Sequence, residues 1–333
     1  MKRFILRSAL FLLPLALLMT LFEYVQRRAP HEFKYKAAFM DANAEKLEVL
    51  VFGPSHTHRI NLHDIGRRAF NLSFSNQAVE WDYALWCKYR DRLTALQYAV
   101  LSLSCWFHEN TADGLEAWRT PFYNIHYGLS SPLLDLQKRF IVANPKSAMK
   151  RMDVILRGNY DQMQPSCDSL GSSPTLLRNR PADWDGKSGQ FMARRHSTYT
   201  PEKAAANRRI LERMIKELTQ RGVRILLVTT PTRPAYYEHL TPDIVGRTRS
   251  LGKELEYSYP GVRYLDLLED SRFVEEDYMD DSHLNYDVGG RKLARLLHEY
   301  IAADSLTANR PASEKNSGRR SNGASGPAST DSN

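Results

Sequence analysis

Short, strongly apolar runs alternate along this chain with longer stretches in which apolar residues recur at helical spacing. Runs of this length are typical of strands that are buried on both faces of a sheet. The runs lie at 46–52, 69–74, 98–103, 223–228 and 262–267, and the helical patterns at 78–93, 201–221, 242–257 and 286–303. Strands that alternate with helices predict an α/β fold, here a three-layer α/β/α sandwich with a central parallel sheet.

Other segments fall outside this alternation. Residues 29–45 are predicted to form a polar linker, and residues 304–333, rich in Ser, Ala, Asn and Gly, a disordered tail. Residues 107–200 contain clustered aromatic residues, a helical piece at 131–142 and a Ser/Pro/Gly-rich stretch. We expect them to form an insertion that covers the strand ends, the alternative being a poorly ordered lobe. The α/β domain itself is predicted to span 46–303.

The first 28 residues predict a membrane anchor. Residues 4–25 are almost continuously apolar, which is about the length that crosses the core of a bilayer. The end of this segment, residues 23–28, is bulky and charged and does not resemble a small-x-small cleavage site. An uncleaved signal anchor, a transmembrane segment at 1–28, is therefore favoured over a cleaved signal peptide.

Composition excludes several kinds of partner. The net charge is +8 over 333 residues, but the basic residues are scattered and are not interleaved with aromatic residues, so no nucleic-acid partner is expected. Cys87, Cys105 and Cys167 form no C-x-x-C motif, which argues against a zinc site. The sequence does not identify a disulfide pair among them. We expect neither a metal nor another cofactor.

Two short segments carry the candidate chemistry. The first predicted strand runs into Gly53-Pro54-Ser55, and Asp280 and His283 stand three positions apart just before the last predicted helix. A serine hydroxyl is a poor nucleophile at neutral pH, so it needs a histidine to take its proton and a carboxylate to orient that histidine. The two segments together therefore predict a serine nucleophile site for acyl-transfer chemistry.

These motifs resemble those of the SGNH (GDSL-like) hydrolase superfamily. The resemblance covers residues 46–104 and 201–303. It implies a fold of the SGNH/flavodoxin-like type, with Ser55 as the nucleophile, His283 as the general base and acid, and Asp280 as the carboxylate that orients His283. Asp281 is the alternative orienting carboxylate, and the three-residue offset favours Asp280.

The same resemblance implies an oxyanion hole made by Ser55, Asn76 and Ser104. Asn76 stands where family members usually have a glycine, and asparagine tolerates the left-handed backbone conformation better than most residues. Its backbone N–H, and also its side chain, could then donate to the oxyanion. The third block of the family usually supplies an asparagine that is missing here, so Ser104 is expected to donate instead. Loss of an oxyanion donor can cost a few orders of magnitude in rate.

Residues beside the motifs are candidates for substrate binding. They are His56, next to the nucleophile, Arg59 and Trp106. The alternatives are an ordinary surface charge for Arg59 and packing under the insertion for Trp106. His56, His58 and His63 could also form a metal cluster, since closely spaced histidines can ligate together, but no metal site is predicted.

A narrower resemblance is to the membrane-anchored branch of the superfamily, such as the alginate O-acetylation proteins and the D-alanine transfer protein of teichoic acid assembly. It implies a serine acyl esterase or O-acyltransferase that acts on a cell-envelope polysaccharide or glycan. The protein would be single-pass in the cytoplasmic (inner) membrane, with its catalytic domain in the periplasm or extracytoplasmic space. The implied partners are an acylated glycan, the membrane and a multispanning acyltransferase. A plain esterase and a non-catalytic binding or scaffold protein of envelope assembly stay open as alternatives.

Overall fold

The computed structural model of the chain describes residues 1–114, 117–129, 139–143, 149, 152, 156–157, 166–181 and 186–308. Its centre is a five-stranded parallel sheet in the order β2-β1-β3-β4-β5. The strands of this sheet are β1 (Val49–Val51), β2 (Ala69–Asn71), β3 (Tyr98–Ser102), β4 (Arg224–Thr229) and β5 (Val262–Asp266). Each strand overlaps the apolar run predicted for it, and the α/β class with a central parallel sheet is confirmed.

The helices lie between and around these strands. They are α1 (Lys2–Arg28), α2 (Glu32–Asn43), α3 (Ser55–His58), α4 (Val79–Tyr89), α5 (Thr120–Tyr127), α6 (Lys187–His196), α7 (Pro201–Gln220), α8 (Pro234–Tyr237), α9 (Pro242–Ser258) and α10 (Gly289–Ala308). A short antiparallel pair, β6 (Tyr278–Asp280) and β7 (His283–Leu284), precedes α10. Helix α7 begins and ends at residues that mark helix ends in the sequence. It begins at Pro201, whose missing N–H suits a first turn, and ends before Gly222, which has φ +77°.

Both faces of the sheet are buried. Side chains alternate between the faces along a strand, so Leu50 belongs to one apolar cluster while Val49 and Val51 belong to the other. Helices α4, α7 and α9 contribute side chains to the first cluster, and α10 contributes to the second. Because β1, β2 and β3 have almost no solvent-facing positions, they appear in the sequence as continuous apolar runs, whereas the edge strand β5 exposes Arg263 and Asp266.

The segment 29–45, predicted as a polar linker, is instead mostly helix α2 and part of the core. Phe33, Ala37 and Met40 lie on one face of this helix and are buried, and the ring of Phe33 stacks on that of Phe74 with centroids 3.9 Å apart. The i, i+4, i+7 spacing of the apolar residues is that of an amphipathic helix. Polar residues between them gave the segment the overall composition of a linker.

The N-terminal helix α1 is long and apolar enough to cross a membrane, the one such helix in the described part of the chain, although signal sequences share this property. Its C-terminal end is docked on the insertion. Glu23 is 7% exposed and accepts hydrogen bonds from the backbone N–H groups of Ile141 and Val142, at 3.3 and 3.0 Å. Arg27 donates to the Glu23 carboxylate at 2.7 Å and to the carbonyl of Arg139 at 3.2 Å.

The predicted insertion and tail are described only in part. Within 107–200, the structure describes α5, a turn at Ile141–Ala143, α6 and the chain before and after α6, and most of the helical piece predicted at 131–142 lies outside the described residues. The tail was predicted to begin at 304, but α10 continues to Ala308. Arg224 explains the extra turn, because it pairs with the carboxylate of Asp304 and donates to its carbonyl at 3.0 Å. Residues 309–333 lie outside the described part of the chain.

Phe33→Ala tests whether α2 belongs to the core. We expect this variant of the full chain in detergent to lose about 3–5 kcal/mol of unfolding free energy, because it removes a fully buried aromatic ring. Tyr257→Ala is the matched control, since that ring is 93% exposed, and it should change the free energy by less than about 0.5 kcal/mol. Denaturant unfolding followed by circular dichroism measures both. A Phe33→Ala variant as stable as the control would mean that 29–45 is a linker.

Candidate active site

The candidate nucleophile lies at the end of β1, at the edge of the sheet where parallel strands end and α/β proteins bind ligands. The strand leads into Gly53 and Pro54, and Ser55 is the first residue of the one-turn helix α3. Gly53 has φ +123°, and a Cβ there would stand 2.6 Å from Cβ of Ser102 and 2.8 Å from Oγ1 of Thr57. Only glycine fits this position, so the turn that presents Ser55 depends on it.

Polar contacts hold the buried side of α3. Thr57 Oγ1 donates to the carbonyl of Phe52 at 3.1 Å and lies 3.0 Å from Ser73 Oγ. Lys36 of α2 is fully buried, with its Nζ 3.2 Å from Nε2 of His58, and it also donates to the carbonyl of Ser73. Burial lowers the pKa of Lys36 to about 8 and that of His58 well below its ordinary value. His58 is therefore neutral at pH 7 and can accept a hydrogen bond from Lys36.

The β6–β7 hairpin presents the other half of the site. Asp280 and His283 are partners across the hairpin. Asn285 follows β7, and its side-chain Oδ1 accepts from the first N–H group of α10 at 3.0 Å, which caps that helix. At Gly290 a Cβ would stand 2.2 Å from the carbonyl oxygen of Arg59, so this glycine lets α10 approach the residue that follows α3. The hairpin is thereby fixed beside the nucleophile turn.

The structure brings Ser55, His283 and Asp280 together. Ser55 Oγ lies 2.7 Å from Nε2 of His283, and the opposite ring nitrogen, Nδ1, lies 2.8 and 3.0 Å from the two carboxylate oxygens of Asp280. The carboxylate is held in place by the backbone N–H of Ser282, which donates to Oδ1 at 3.0 Å. This is the arrangement in which an imidazole can take a proton from a serine hydroxyl while a carboxylate fixes its tautomer.

Arg59 contacts this carboxylate. Its Nη1 lies 3.4 Å from Asp280 Oδ2 and 3.4 Å from the carbonyl of Leu284. Burial by itself raises the pKa of Asp280, but the charge and hydrogen bond of His283 and the charge of Arg59 outweigh it and hold the pKa far below its usual value. Asp280 is thus ionised at all physiological pH values. Binding of substrate by Arg59 stays a prediction, made beside this ion pair.

Two further imidazoles interact with His283, one by direct contact and one through the charge of His283. His56 stacks on it with centroids 4.7 Å apart, is 7% exposed, and has an Nδ1 atom without a hydrogen-bond partner in the described residues. His196, at the end of α6, stacks on Trp106 at 5.0 Å, and its Nδ1 lies 2.7 Å from the hydroxyl of Tyr236. Burial lowers the pKa of His56 well below its ordinary value and that of His196 to about 3, and the charge of His283 adds to both shifts. Both rings are therefore neutral.

The predicted oxyanion donors are only partly accounted for. Asn76 has φ +53°, the left-handed conformation expected for it, and its Oδ1 accepts from Nε1 of Trp106 at 3.0 Å. That bond fixes the amide and leaves Nδ2 as a donor on the other side. Within the described residues, no acceptor engages the backbone N–H of Ser55 or Asn76. Ser104 Oγ makes no hydrogen bond to the described residues, and Ser104 lines a cavity of about 20 Å³ with Pro54.

Asp281 occupies a different environment from Asp280. It is 3% exposed, pairs with Arg233, and accepts from the N–H of Gly189 at 2.7 Å and from Ser188 Oγ at 3.0 Å. A Cβ on Gly189 would stand 2.5 Å from Cβ of Asp281, so the approach is close. Asp281 therefore secures the first turn of α6, while Asp280 faces His283.

The three closely spaced histidines each have their own surroundings. His58 contacts Lys36, and His63 has its Nε2 3.4 Å from a carboxylate oxygen of Asp168. No group of three or more His, Cys, Asp or Glu side chains suited to a metal is present in the described part of the chain. The cysteines at 87, 105 and 167 are all free thiols.

No family model matches the chain, and no curated protein is significantly similar to it in sequence. The site therefore has to be judged from its own geometry. Sequence reasoning missed two of its residues, His196 and Tyr236. No motif signals either of them, because each is brought to the site by an element whose position the sequence pattern does not specify.

Buried histidines predict loss of stability in mild acid. Burial lowers the pKa of His196 to about 3, of His108 to about 4, and of His56 and His58 well below 6.5. Below pH 6.5 these histidines are protonated in the unfolded chain but remain neutral in the folded chain. Each one therefore lowers the free energy of unfolding by up to about 1.4 kcal/mol per pH unit. We expect the unfolding temperature to fall steeply between pH 6.5 and about 4.5.

Asp82 acts in the opposite direction in this experiment. Burial raises its pKa from 3.8 to about 7, so its contribution to stability is fully present below pH 3.8 and is lost as the pH rises through 7. It is one group against several histidines. His108→Gln, far from Ser55 in the sequence, should make the free energy of unfolding fall less steeply with decreasing pH, by the equivalent of about one proton. An unfolding temperature that stays constant from pH 7 to 5 would contradict the burial of neutral imidazoles.

Proposed function

We propose that this chain is a membrane-anchored serine acyl esterase or O-acyltransferase of the SGNH-like type, acting on a cell-envelope polysaccharide or glycan. The observation that carries the proposal is the continuous hydrogen-bonded series from Ser55 through His283 to Asp280. It lies at the carboxyl edge of a parallel sheet, with helices contributing apolar side chains to each face. That arrangement supports a three-layer α/β/α sandwich of the SGNH/flavodoxin-like type.

The proposed reaction has two halves. Ser55 Oγ attacks the carbonyl carbon of an ester while His283 Nε2 takes its proton, and Asp280 stabilises the imidazolium that results. The oxyanion accepts hydrogen bonds from the N–H groups of Ser55 and Asn76 and from Asn76 Nδ2. The ester C–O bond then breaks, the leaving oxygen takes the proton from His283, and the acyl group remains on Ser55. In the second half, a sugar hydroxyl or water gives its proton to His283 Nε2 as its oxygen attacks the acyl carbon. The bond between that carbon and Ser55 Oγ then breaks, and His283 returns the proton to Ser55 Oγ.

The anchor bears on where this happens. Helix α1 is long and apolar enough to span a bilayer. The proposed location is the cytoplasmic (inner) membrane, with the α/β domain in the periplasm or extracytoplasmic space. An acylated glycan is the proposed substrate, and a multispanning membrane acyltransferase that delivers the acyl group is the proposed partner.

A second candidate is a non-catalytic binding or scaffold protein of envelope polysaccharide assembly. The missing third-block asparagine favours it, together with the position of its expected substitute. Ser104 is only 9% exposed and lines a small buried cavity. If the oxyanion hole lacks a donor, the site around Ser55 would bind an acylated sugar without turning it over.

Reaction with a serine-directed fluorophosphonate probe separates these two functions. We expect Ser55 to be phosphonylated in the full chain in detergent, because His283 removes its proton and the amide donors stabilise the negative charge that develops on the phosphoryl oxygen before fluoride leaves. Ser55→Ala should abolish labelling and lower ester hydrolysis on the order of 10⁴-fold, with an unchanged unfolding temperature. Mass spectrometry of the labelled peptide measures the first, and the release of p-nitrophenol from its acetate ester the second.

Ser258→Ala is the matched control, since Ser258 is exposed at the end of α9 and far along the chain from the site. It should be labelled and should hydrolyse the ester like the unmodified chain. Wild-type protein that is folded but leaves Ser55 unlabelled would favour the scaffold and reject the esterase and transferase alike.

Addition of glycan acceptors distinguishes transfer from plain hydrolysis. With p-nitrophenyl acetate as donor, a transferase should release p-nitrophenol faster as an envelope oligosaccharide is added, because the sugar hydroxyl takes the acyl group from Ser55 faster than water does. The acetylated oligosaccharide should appear in the mass spectrum, and Ser55→Ala should form none. If the rate of p-nitrophenol release does not change with any added glycan, and acetate is the sole acyl product, the protein is a plain esterase.

A further inference from the structure

A buried carboxyl group links the two turns that carry the candidate oxyanion amides. Asp82 of α4 is 8% exposed. Its Oδ1 accepts from the backbone N–H of Gly53 at 3.0 Å, two positions before Ser55, and from the side-chain amide of Gln77, one position after Asn76. One oxygen atom therefore bridges the turn after β1 and the turn that follows β2.

The Gln77 end of this bridge is itself held from several directions. Its side-chain Nε2 also donates to the carbonyl of Leu72 at 3.2 Å, and its Oε1 accepts from the hydroxyl of Tyr123 at 2.7 Å. Asn110 Nδ2 donates to the Gln77 carbonyl at 2.9 Å, and Asn207 Nδ2 donates to the Asn110 carbonyl at 2.9 Å. Since nearly all of this network is buried, loss of any of its hydrogen bonds would leave a polar group without a partner and lower the stability of the fold.

We propose that Asp82 is a positioning residue whose carboxyl group holds the backbone amides of Ser55 and Asn76 in register with each other. The role rests on the function proposed above, in which these two amides stabilise the oxyanion. Gly53 has a backbone conformation that only glycine adopts easily, with φ +123°, so the turn needs an external contact to fix it. The carboxyl group acts through Gly53 and Gln77 and touches no reacting atom.

The protonation of Asp82 should make the positioning of the two amides depend on pH. Burial raises its pKa to about 7, although the hydrogen bonds from Gln77 and Gly53 oppose the rise. Glu80, on the same helix, is the charged group that acts on it within the described residues. The elements packed around Asp82 present the neutral residues Pro54, Gln77, Ser102, Ser104, Asn110, Leu211 and Met214. A carboxylate is a stronger acceptor than a carboxylic acid, so the register of the amides tightens as the pH rises through 7.

Two substitutions separate positioning from charge. Asp82→Ala removes the acceptor, whereas Asp82→Asn keeps a neutral oxygen in the same place. At a temperature where all variants are folded, Asp82→Ala should lower kcat and the rate of fluorophosphonate labelling roughly 10- to 100-fold, with KM within about threefold. Asp82→Asn should stay within about fivefold of wild type. The ratio of the wild-type rate to the Asp82→Asn rate should rise as the pH rises through 7, because His283 titrates in both proteins and Asp82 ionises only in wild type. Glu80→Gln, the matched control, should keep wild-type rates.

The outcomes that overturn this role differ from those that overturn the function. A folded Asp82→Ala variant that labels Ser55 at the wild-type rate, or an Asp82→Asn variant as slow as Asp82→Ala, refutes positioning by the acceptor oxygen. If wild type itself is inert, amide hydrogen exchange over 52–58 and 74–79 still decides. Exchange there should be faster in Asp82→Ala than in Asp82→Asn, and equal exchange would show that Asp82 does not hold the turns.

Discussion

The contact between Ser55 Oγ and His283 Nε2 joins residues 228 positions apart, and the rest of the site is arranged around its 2.7 Å length. One end is set by Gly53, which permits the sharp exit from β1. The other end is set by the β6–β7 hairpin, which Asn285 ties to α10. Helix α10 in turn is held by its apolar residues in the second core cluster. The geometry of two small side chains therefore depends on the packing of the whole domain.

The electrostatics of the site follow from how its groups are buried. Asp280 keeps its charge because His283 and Arg59 lie beside it, and the neighbouring imidazoles of His56 and His196 lose theirs because burial disfavours the protonated form. The carboxylate of Asp280 thus faces Nδ1 of His283, and the neutral ring of His56 stacks against that imidazole. An imidazolium that forms at His283 during a reaction is stabilised by Asp280 and meets no like charge from those neutral rings.

The sequence pattern predicts the inner strands, because burial on both faces of β1 and β3 leaves almost no polar position to interrupt an apolar run. The meeting of Ser55 with His283 and Asp280 was predicted from chemistry and from the family resemblance, because a serine nucleophile needs a histidine and a carboxylate. The sequence did not reveal that His283 and Asp280 lie in a separate antiparallel pair of strands outside the parallel sheet. Helix α2 was missed because its apolar face, with Phe33 and Met40, is diluted by polar residues. His196 and Asp82 could not be assigned roles. In sequence each is an ordinary polar residue of a helix, and only tertiary packing brings one to Trp106 and the other to Gly53.

The docking of the C-terminal end of α1 has a mechanical consequence. A helix of 27 residues is about 40 Å long at 1.5 Å per residue, roughly 10 Å more than the hydrocarbon thickness of a bilayer. The surplus is about two turns. Glu23 and Arg27 lie in those turns and are hydrogen-bonded to the backbone of residues 139–142. With α1 inserted in a bilayer, these hydrogen bonds would connect the membrane span rigidly to the domain, where a flexible linker would let the domain move. Ser55 would then stay at a fixed distance from the membrane surface, and a glycan or an acyl carrier would have to approach it there.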